Sequence, residues 1–229
     1  LFRSRLTKIY IPKGVTNIGN DAFSYCSNLT SIVVATENPK FDSRNDCNAL
    51  IETETNKLIV GCNTSTIPAG IVVIADSAFA SCKDLTSIVI PDGATSIGEY
   101  AFDNCISLKS IIIPDSVSYI GESAFSSCRN LAKVVLPTGI KTISAYMFNL
   151  CEKLAEISIP DSVTSIDDYA FEYCESLTSI TIPNSVTSLG KNIFENCESL
   201  TSIRFSSGIT RIPDYACSGC INLTIAEIP

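Results

Sequence analysis

The chain repeats itself every 23 residues. Phenylalanine recurs at this step, and a cysteine follows each phenylalanine by three positions. The phenylalanines of the series are Phe79, Phe102, Phe125, Phe148, Phe171 and Phe194, and the cysteines are Cys82, Cys105, Cys128, Cys151, Cys174, Cys197 and Cys220. A unit of this size cannot bury its own apolar face, so successive copies must stack and cover one another. The period therefore predicts one elongated solenoid with a continuous core.

The units can be counted from a recurring proline slot. Nine units run from Pro12 to Pro229, and the one at residues 35–67 has 33 residues in place of 23. We therefore expect a single solenoid domain over residues 1–229 with one variant unit. Apolar residues already fill the slots of a repeat near Leu1, and neither end carries a polar capping segment. We interpret the chain as a fragment of a longer protein.

Each unit contains two extended segments and a compact one. In the stretch from Leu177 to Pro183, apolar residues alternate with Ser and Thr, which is typical of a half-buried strand. A turn and a second extended segment follow. The spacing of Ala, Phe and Cys between Glu99 and Cys105 fits a turn or two of α- or 3₁₀-helix. These patterns predict an α/β repeat solenoid, a right-handed coil with a parallel β-sheet, strands about 4.8 Å apart and short helical turns.

The run from Leu108 to Cys128, with its Ile-Pro-Asp-Ser-Val, Ala-Phe and Cys landmarks, resembles the BspA-type leucine-rich repeat of bacterial surface proteins and some protist ones. The unit at 35–67 also resembles that family's variant repeat, and two apolar runs around Thr53 to Asn56 predict a β-hairpin in place of the helix. The resemblance implies a secreted or surface-anchored adhesion or recognition module without catalytic residues. Its signal peptide and anchor would lie outside this chain.

Composition excludes several classes of function. The chain has no His, which removes His-based acid–base catalysis and imidazole metal sites. Sixteen Lys and Arg stand against twenty-four Asp and Glu, a net charge of −8, so we expect no nucleic-acid partner. No apolar stretch approaches eighteen residues, so we expect no direct membrane insertion. We predict no cofactor and no metal.

The eleven cysteines allow two interpretations. The cysteine column fits a ladder of buried thiols that act as small apolar residues, but disulfides between neighbouring coils are the alternative, because stacked positions lie near disulfide range. Cys217 and Cys220 form a Cys-x-x-Cys pair that suggests redox chemistry or half a zinc site. Both occupy core slots, which favours a structural role.

Two groups of polar residues are candidates for other chemistry. The oxygen-bearing residues Asp42, Asn45, Asp46 and Asn48 could bind Ca²⁺, although their spacing does not match an EF-hand and a satisfied turn explains them as well. The paired acids Asp167 with Asp168 and Glu195 with Glu198 could in principle act in a glycosidase, which needs opposed carboxylates across a cleft. A solvated face is the alternative that the repeat favours.

The best candidate for binding is the solvent face of the predicted sheet. The residue between the last two apolar strand positions is aliphatic in three successive coils, at Val89, Ile112 and Val135. Beside it lie Ser87, Ser110 and Lys133. Contiguous exposed aliphatic side chains often mark an interface, although ordinary β-propensity also places them on a sheet. We predict that these six residues bind a protein or glycan of a host, a matrix or a neighbouring cell; a passive spacer is the alternative function.

Overall fold

A computed structural model describes residues 4–19 and 22–228, so Leu1 and Pro229, the ends of the predicted repeat series, lie outside the described residues. Short strands joined by turns form the described chain. In order they are β1 (Lys8–Ile11), β2 (Ser31–Val34), β3 (Phe41–Asp42), β4 (Leu50–Glu52), β5 (Lys57–Val60), β6 (Val73–Ile74), β7 (Ser96–Ile97), β8 (Ser110–Ile112), β9 (Tyr119–Ile120), β10 (Lys133–Val135), β11 (Thr142–Ile143), β12 (Ser165–Ile166), β13 (Ser179–Thr181), β14 (Ser188–Leu189), β15 (Ser202–Arg204) and β16 (Ile225–Glu227).

Strands of successive coils pair in parallel at the repeat step. Ser110 of β8 lies opposite Lys133 of β10, and Ser179 of β13 opposite Ser202 of β15. The middle residue of each of these strands is an Ile or Val that points into the core. Because side chains alternate along a strand, its two flanking residues face solvent. The structure is therefore a β-solenoid whose coils follow the sequence repeat.

The parallel sheets are interrupted, whereas the sequence predicted a regular stack. The first extended segments form three ladders, β1 with β2, β8 with β10, and β13 with β15 and β16. The second extended segments form two ladders, one that ends at β9 and one that begins at β11. Residues 86–90 and 156–158 lie in the stack without strand pairing. The solenoid therefore has several short ladders along each side.

The predicted helical turns are wrong. The one helical element in the described ranges is a 3₁₀ turn at Arg44–Asp46, outside the expected positions. The segment from Glu99 to Cys105 instead has left-handed residues at Tyr100 and Asn104, with φ of 55° and 57°. Every second N–H in it donates to a carbonyl of the next coil, for example Phe102 N to Ala124 O at 2.8 Å. Left-handed residues interrupt a right-handed helix, so these segments form a hydrogen-bonded turn column instead.

The phenylalanines stack in one column, as predicted. Ring centroids of neighbouring phenylalanines from Phe79 to Phe194 lie between 5.1 and 5.9 Å apart with nearly parallel planes. The six rings are fully buried. The column therefore forms the centre of the main core and links six successive coils.

The cysteine column lies beside the phenylalanines, and all eleven cysteines are free thiols. Each thiol of the ladder from Cys105 onward donates to the phenylalanine carbonyl of the preceding coil, as Cys128 Sγ does to Phe102 O at 3.1 Å. Burial raises the pKa of Cys105, Cys151 and Cys174 far above the usual thiol range. The ladder thiols thus pack in the core as small apolar side chains, as expected. They also donate hydrogen bonds between coils.

The 33-residue unit divides the core. In it β4 pairs antiparallel with both β3 and β5, and β5 continues in parallel with β6. The buried residues on its N-terminal side form a small cluster that is separate from the main core: Ile9, Ile11, Leu29, Ile32, Phe41, Leu50 and Cys62. Gly61 lies where a Cβ would overlap the Phe79 ring, so glycine is needed at the end of the phenylalanine column.

Candidate binding face on the sheet

The six predicted binding residues all lie on one exposed side of the sheet. Val89, Ile112 and Val135 are 80%, 66% and 40% exposed, and Ser87, Ser110 and Lys133 are exposed beside them. We call Val89, Ile112 and Val135 the aliphatic face. β8 and β10 are in register, so Ile112 lies directly opposite Val135. Val89 lies in the unpaired segment 86–90, one coil earlier.

A shallow groove of about 510 Å³ runs along the edge of the aliphatic face. Ile112 and Val135 form its apolar side, and Asp92, Asp115 and Thr138 form its polar rim. Asp115 accepts hydrogen bonds from the Thr138 backbone N–H at 2.8 Å and its hydroxyl at 2.9 Å, and these bonds lower the pKa of Asp115. The groove thus combines apolar surface with a fixed carboxylate.

The rim residues were not among the predicted site residues. Their signal in the sequence is the Asp that follows the proline slot, at Asp92 and Asp115, because Asp in this place is typical of a turn. The turn places that carboxylate against the backbone of the following coil. Adjacent turns therefore line up polar groups beside the strand that carries the aliphatic face.

The same strand position becomes polar in later coils. It is occupied by Ser158, then Thr181 in β13, Arg204 in β15 and Glu227 in β16. Arg204 and Glu227 form an exposed ion pair of 3.7 Å. The aliphatic face therefore ends after Val135 and borders a hydrophilic sheet on that side.

The residues considered for Ca²⁺ are used within the variant unit. The Arg44 guanidinium donates to both oxygens of Asp42, at distances from 2.6 to 3.0 Å. The Asn48 amide donates to Thr30 O and its oxygen accepts from Ile32 N. Across residues 4–19 and 22–228, no group of three Cys, Asp or Glu side chains could hold a metal ion. Asp42 is therefore paired within the variant unit, and Asn48 joins that unit to the preceding coil.

Cys217 and Cys220 are half-buried in the last described coil. Cys217 takes the slot of a phenylalanine, and Cys220 Sγ donates to Phe194 O at 3.0 Å like the other ladder thiols. A hydrogen bond between the two thiols raises the pKa of Cys217 and lowers that of Cys220. The pair therefore continues the packing and bonding of the ladder.

The paired acids lie only partly on the solvated face that the sequence favoured. Asp167 and Asp168 are half-buried, and burial followed by the charge of Asp168 raises the pKa of Asp167. Glu195 accepts a hydrogen bond from the Asn192 amide, while Glu198 is exposed. Some of these carboxylates are thus held partly out of water.

The profile of the BspA type leucine rich repeat region matches six copies in this chain, over residues 1–67, 51–177 and 141–229. The chain belongs to the BspA-type leucine-rich repeat family. No curated protein matches it. Within the described part of the chain, no helix is long and apolar enough to cross a membrane.

Several solved structures share this BspA-type fold. A leucine-rich repeat protein from Eubacterium ventriosum is 25% identical over 97% of this chain and 59% of its own, with a TM-score of 0.78. The Treponema pallidum leucine-rich repeat protein is 28% identical over 77% of each chain, with a TM-score of 0.63. A leucine-rich cell surface protein from Faecalibacterium prausnitzii is 29% identical over 97% of this chain and 48% of its own, with a TM-score of 0.55. The chain therefore spans about half to three fifths of the first and last of these proteins.

Proposed function

We propose that this chain is a non-catalytic recognition module that binds a partner protein or glycan through the aliphatic face. The observation that carries the proposal is the exposure of Val89, Ile112 and Val135 on three successive coils. Water must order around this apolar surface, and a partner that covers it removes that cost. The Asp115 rim and the hydroxyls beside it supply the polar contacts that surround the centre of a typical interface.

We further propose that the chain acts at the cell surface, as part of a secreted or anchored protein. The Faecalibacterium prausnitzii protein is described as a leucine rich cell surface protein, and it is 29% identical to this chain. A solenoid suits this location because it presents one continuous shallow surface to a partner on another cell or in a matrix.

The test is the exchange of Ile112 for Asp. Ile112 points outward at the centre of the aliphatic face, so the fold should survive, while a charge buried there on binding would lack a counter-ion. We expect adhesion to a panel of matrix proteins and glycans, measured by surface plasmon resonance, to weaken at least tenfold for the ligand that the wild type binds.

Thr181→Asp is the matched control, because Thr181 occupies the same strand position in the polar part of the sheet. It should leave adhesion unchanged, and thermal melts of both variants should match the wild type. Equal adhesion of wild type and Ile112→Asp, or none by the wild type, would contradict the proposal and support the passive spacer.

A further inference from the structure

A second groove lies on another side of the solenoid, where the ladder of second extended segments breaks between β9 and β11. It has a volume of about 380 Å³. Tyr119, which is 53% exposed, forms one wall, and the carboxylates of Glu99, Glu122 and Asp167 surround it. Lys141 is the one basic residue that lines it.

The break has a local chemical cause at Ser144. Gly98, Gly121 and Gly190 occupy the equivalent slot in other coils, and Gly121 N donates to Ile97 O of the preceding coil at 2.9 Å. A Cβ on Gly121 would lie 2.5 Å from Glu99 N, so this slot leaves little room for a side chain. At Ser144 the hydroxyl, in place of the backbone N–H, donates to Ile120 O at 2.6 Å.

Asp167 shows why the hydroxyl matters. It occupies the same slot one coil later, yet its backbone N–H still donates to Ile143 O at 2.9 Å, and β11 and β12 stay paired. A carboxylate has no proton to donate and cannot compete for that carbonyl, whereas a serine hydroxyl can. The groove therefore opens at the coil that carries Ser144.

Ala145, the residue after Ser144, makes the groove deeper. The slot after the glycine position holds Asp76, Glu99, Glu122 and Asp168 in neighbouring coils, but Ala145 between the last two. The short Ala145 side chain leaves space between two carboxylates. The groove thus lies where Ala145 interrupts a row of acidic residues, and Tyr119 forms its side wall.

The groove is strongly acidic and its charges are unpaired. None of the five ion pairs among the described residues involves Asp76, Glu99, Glu122, Asp167 or Asp168. Glu99 and Glu122 line the groove together with Tyr119, and burial followed by the charges of Glu99, Asp76 and Glu122 raises the pKa of Tyr119. A positive group beside Tyr119 would be attracted by these carboxylates and by the face of the ring.

The same side of the solenoid already binds a cation in this way. Lys191 Nζ lies 5.6 Å from the centroid of the Tyr169 ring, which stacks on Tyr146 at 4.7 Å. Lys191 occupies the repeat position that holds Asp168 in the preceding coil. At Tyr119 the neighbouring positions Glu99 and Glu122 are acidic, and Lys141 of the groove makes no cation–π contact with the ring among the described residues, so the face of the ring is open to a cation from a partner.

We propose that the Tyr119 groove binds a lysine- or arginine-bearing segment of a partner protein, with the cationic side chain over Tyr119 and between Glu99 and Glu122. Charge complementarity favours this occupant over a neutral glycan, whose hydroxyls could donate hydrogen bonds to the carboxylates but would carry no charge to offset theirs. The site is independent of the aliphatic face.

The test uses a fluorescein-labelled peptide of alternating serine and arginine, whose arginines project on one side about 7 Å apart when it is extended. A matched peptide carries neutral citrulline in place of arginine. Fluorescence anisotropy should show that the arginine peptide binds at least tenfold more tightly, and that raising the salt concentration from 50 to 500 mM weakens it.

Three variants locate the binding. Tyr119→Ser restores the residue of Ser96 and Ser165 at this position and should weaken the arginine peptide about threefold to fivefold. Glu122→Gln should weaken it by a similar factor. Ser144→Gly should restore the backbone hydrogen bond to Ile120, close the groove and weaken binding at least tenfold while the fold persists.

Glu156→Gln is the control, because it removes one carboxylate on the sheet side; it should bind the arginine peptide within twofold of the wild type. Equal binding of the arginine and citrulline peptides, or wild-type binding by both Tyr119→Ser and Ser144→Gly, would overturn the proposal. So would binding of neutral oligosaccharides that depends on Tyr119 while the arginine peptide does not bind.

Discussion

Phe125 shows what one residue contributes to this core. Its ring lies between Phe102 at 5.4 Å and Phe148 at 5.9 Å and is fully buried. Replacing it with Ala removes both stacking contacts and leaves a cavity that neighbouring coils, fixed by their ladders, cannot fill. We expect Phe125→Ala to lower the free energy of unfolding by about 3 to 5 kcal/mol.

Urea melts followed by circular dichroism measure this loss. Ile112→Ala on the aliphatic face is the control and should change the free energy of unfolding by less than about 0.5 kcal/mol. A loss below about 1 kcal/mol for Phe125→Ala would show that the column is not tightly packed.

The phenylalanine column could be predicted from the sequence, because residues that recur at the repeat period occupy equivalent positions in successive coils and therefore stack. The thiol hydrogen bonds to the phenylalanine carbonyls could not, because Ala, Ser or Val would fit the same periodic pattern. What selects cysteine is a small side chain that is apolar enough for the core and still carries a donor.

At the scale of the element, the turn column and a helix predict opposite effects on stability when Ser127 is replaced by valine or glycine. Ser127 has φ of 57° and its N–H donates to Asn149 O at 2.7 Å. A β-branched residue is strained in this left-handed region, so Ser127→Val should cost about 1 to 2 kcal/mol. Ser127→Gly should stay within about 0.5 kcal/mol of the wild type, because glycine adopts positive φ freely.

In a helix the order would be reversed, since glycine is a worse helix former than valine. Thermal and urea melts of the two variants therefore distinguish the elements directly. A larger loss for Ser127→Gly than for Ser127→Val would mean that this segment is helical.

The helix prediction failed because apolar spacing alone was considered. Ala, Phe and Cys at these intervals fit a helix and the turn column equally well. The distinguishing residues are in the two left-handed slots, where Asn104, Asn192, Asn196 and Gly219 occur. Asn and Gly tolerate positive φ best, and their recurrence at fixed slots is the signal for a turn.

At the scale of the whole molecule, several carboxyls are held partly out of water. Burial raises the pKa of Asp103 to about 6, against the opposing effect of a hydrogen bond from Ser126, and burial also raises the pKa values of Asp167 and Glu172. In the unfolded chain such a carboxyl titrates near pH 4. Between those values the folded protein holds a proton that the unfolded chain has released.

The stabilisation from protonated Asp103 is therefore complete below about pH 4 and is lost as the pH rises through about 6. We expect Asp103→Asn to gain stability relative to the wild type as the pH rises from 4.5 to 7.5, because the amide does not ionise. Melting temperatures across this range measure the difference. A constant difference between Asp103→Asn and the wild type across this range would contradict the burial of the Asp103 carboxyl.

The interruptions of the sheets are also a property of the whole stack, and the repeat could not predict them. A period specifies which residues face inward, but pairing between two coils depends on competition for one carbonyl, as at Ser144. The exposure of Val89, Ile112 and Val135 could be predicted because strand alternation decides it locally. The groove beside Tyr119 could not, because it depends on two residues that replace glycine and an acid in one coil.

The backbone hydrogen bonds that join one coil of the turn column to the next all run one way. From the coil of Ser77 to that of Asn192, each donated N–H points to the following coil and each accepting carbonyl to the preceding one, as from Phe125 N to Met147 O and from Phe148 N to Ala170 O. Peptide dipoles aligned in this manner add. One side of the solenoid is consequently polarised along its length, with its positive pole toward the high-numbered coils, opposite in sense to an α-helix running in the same direction.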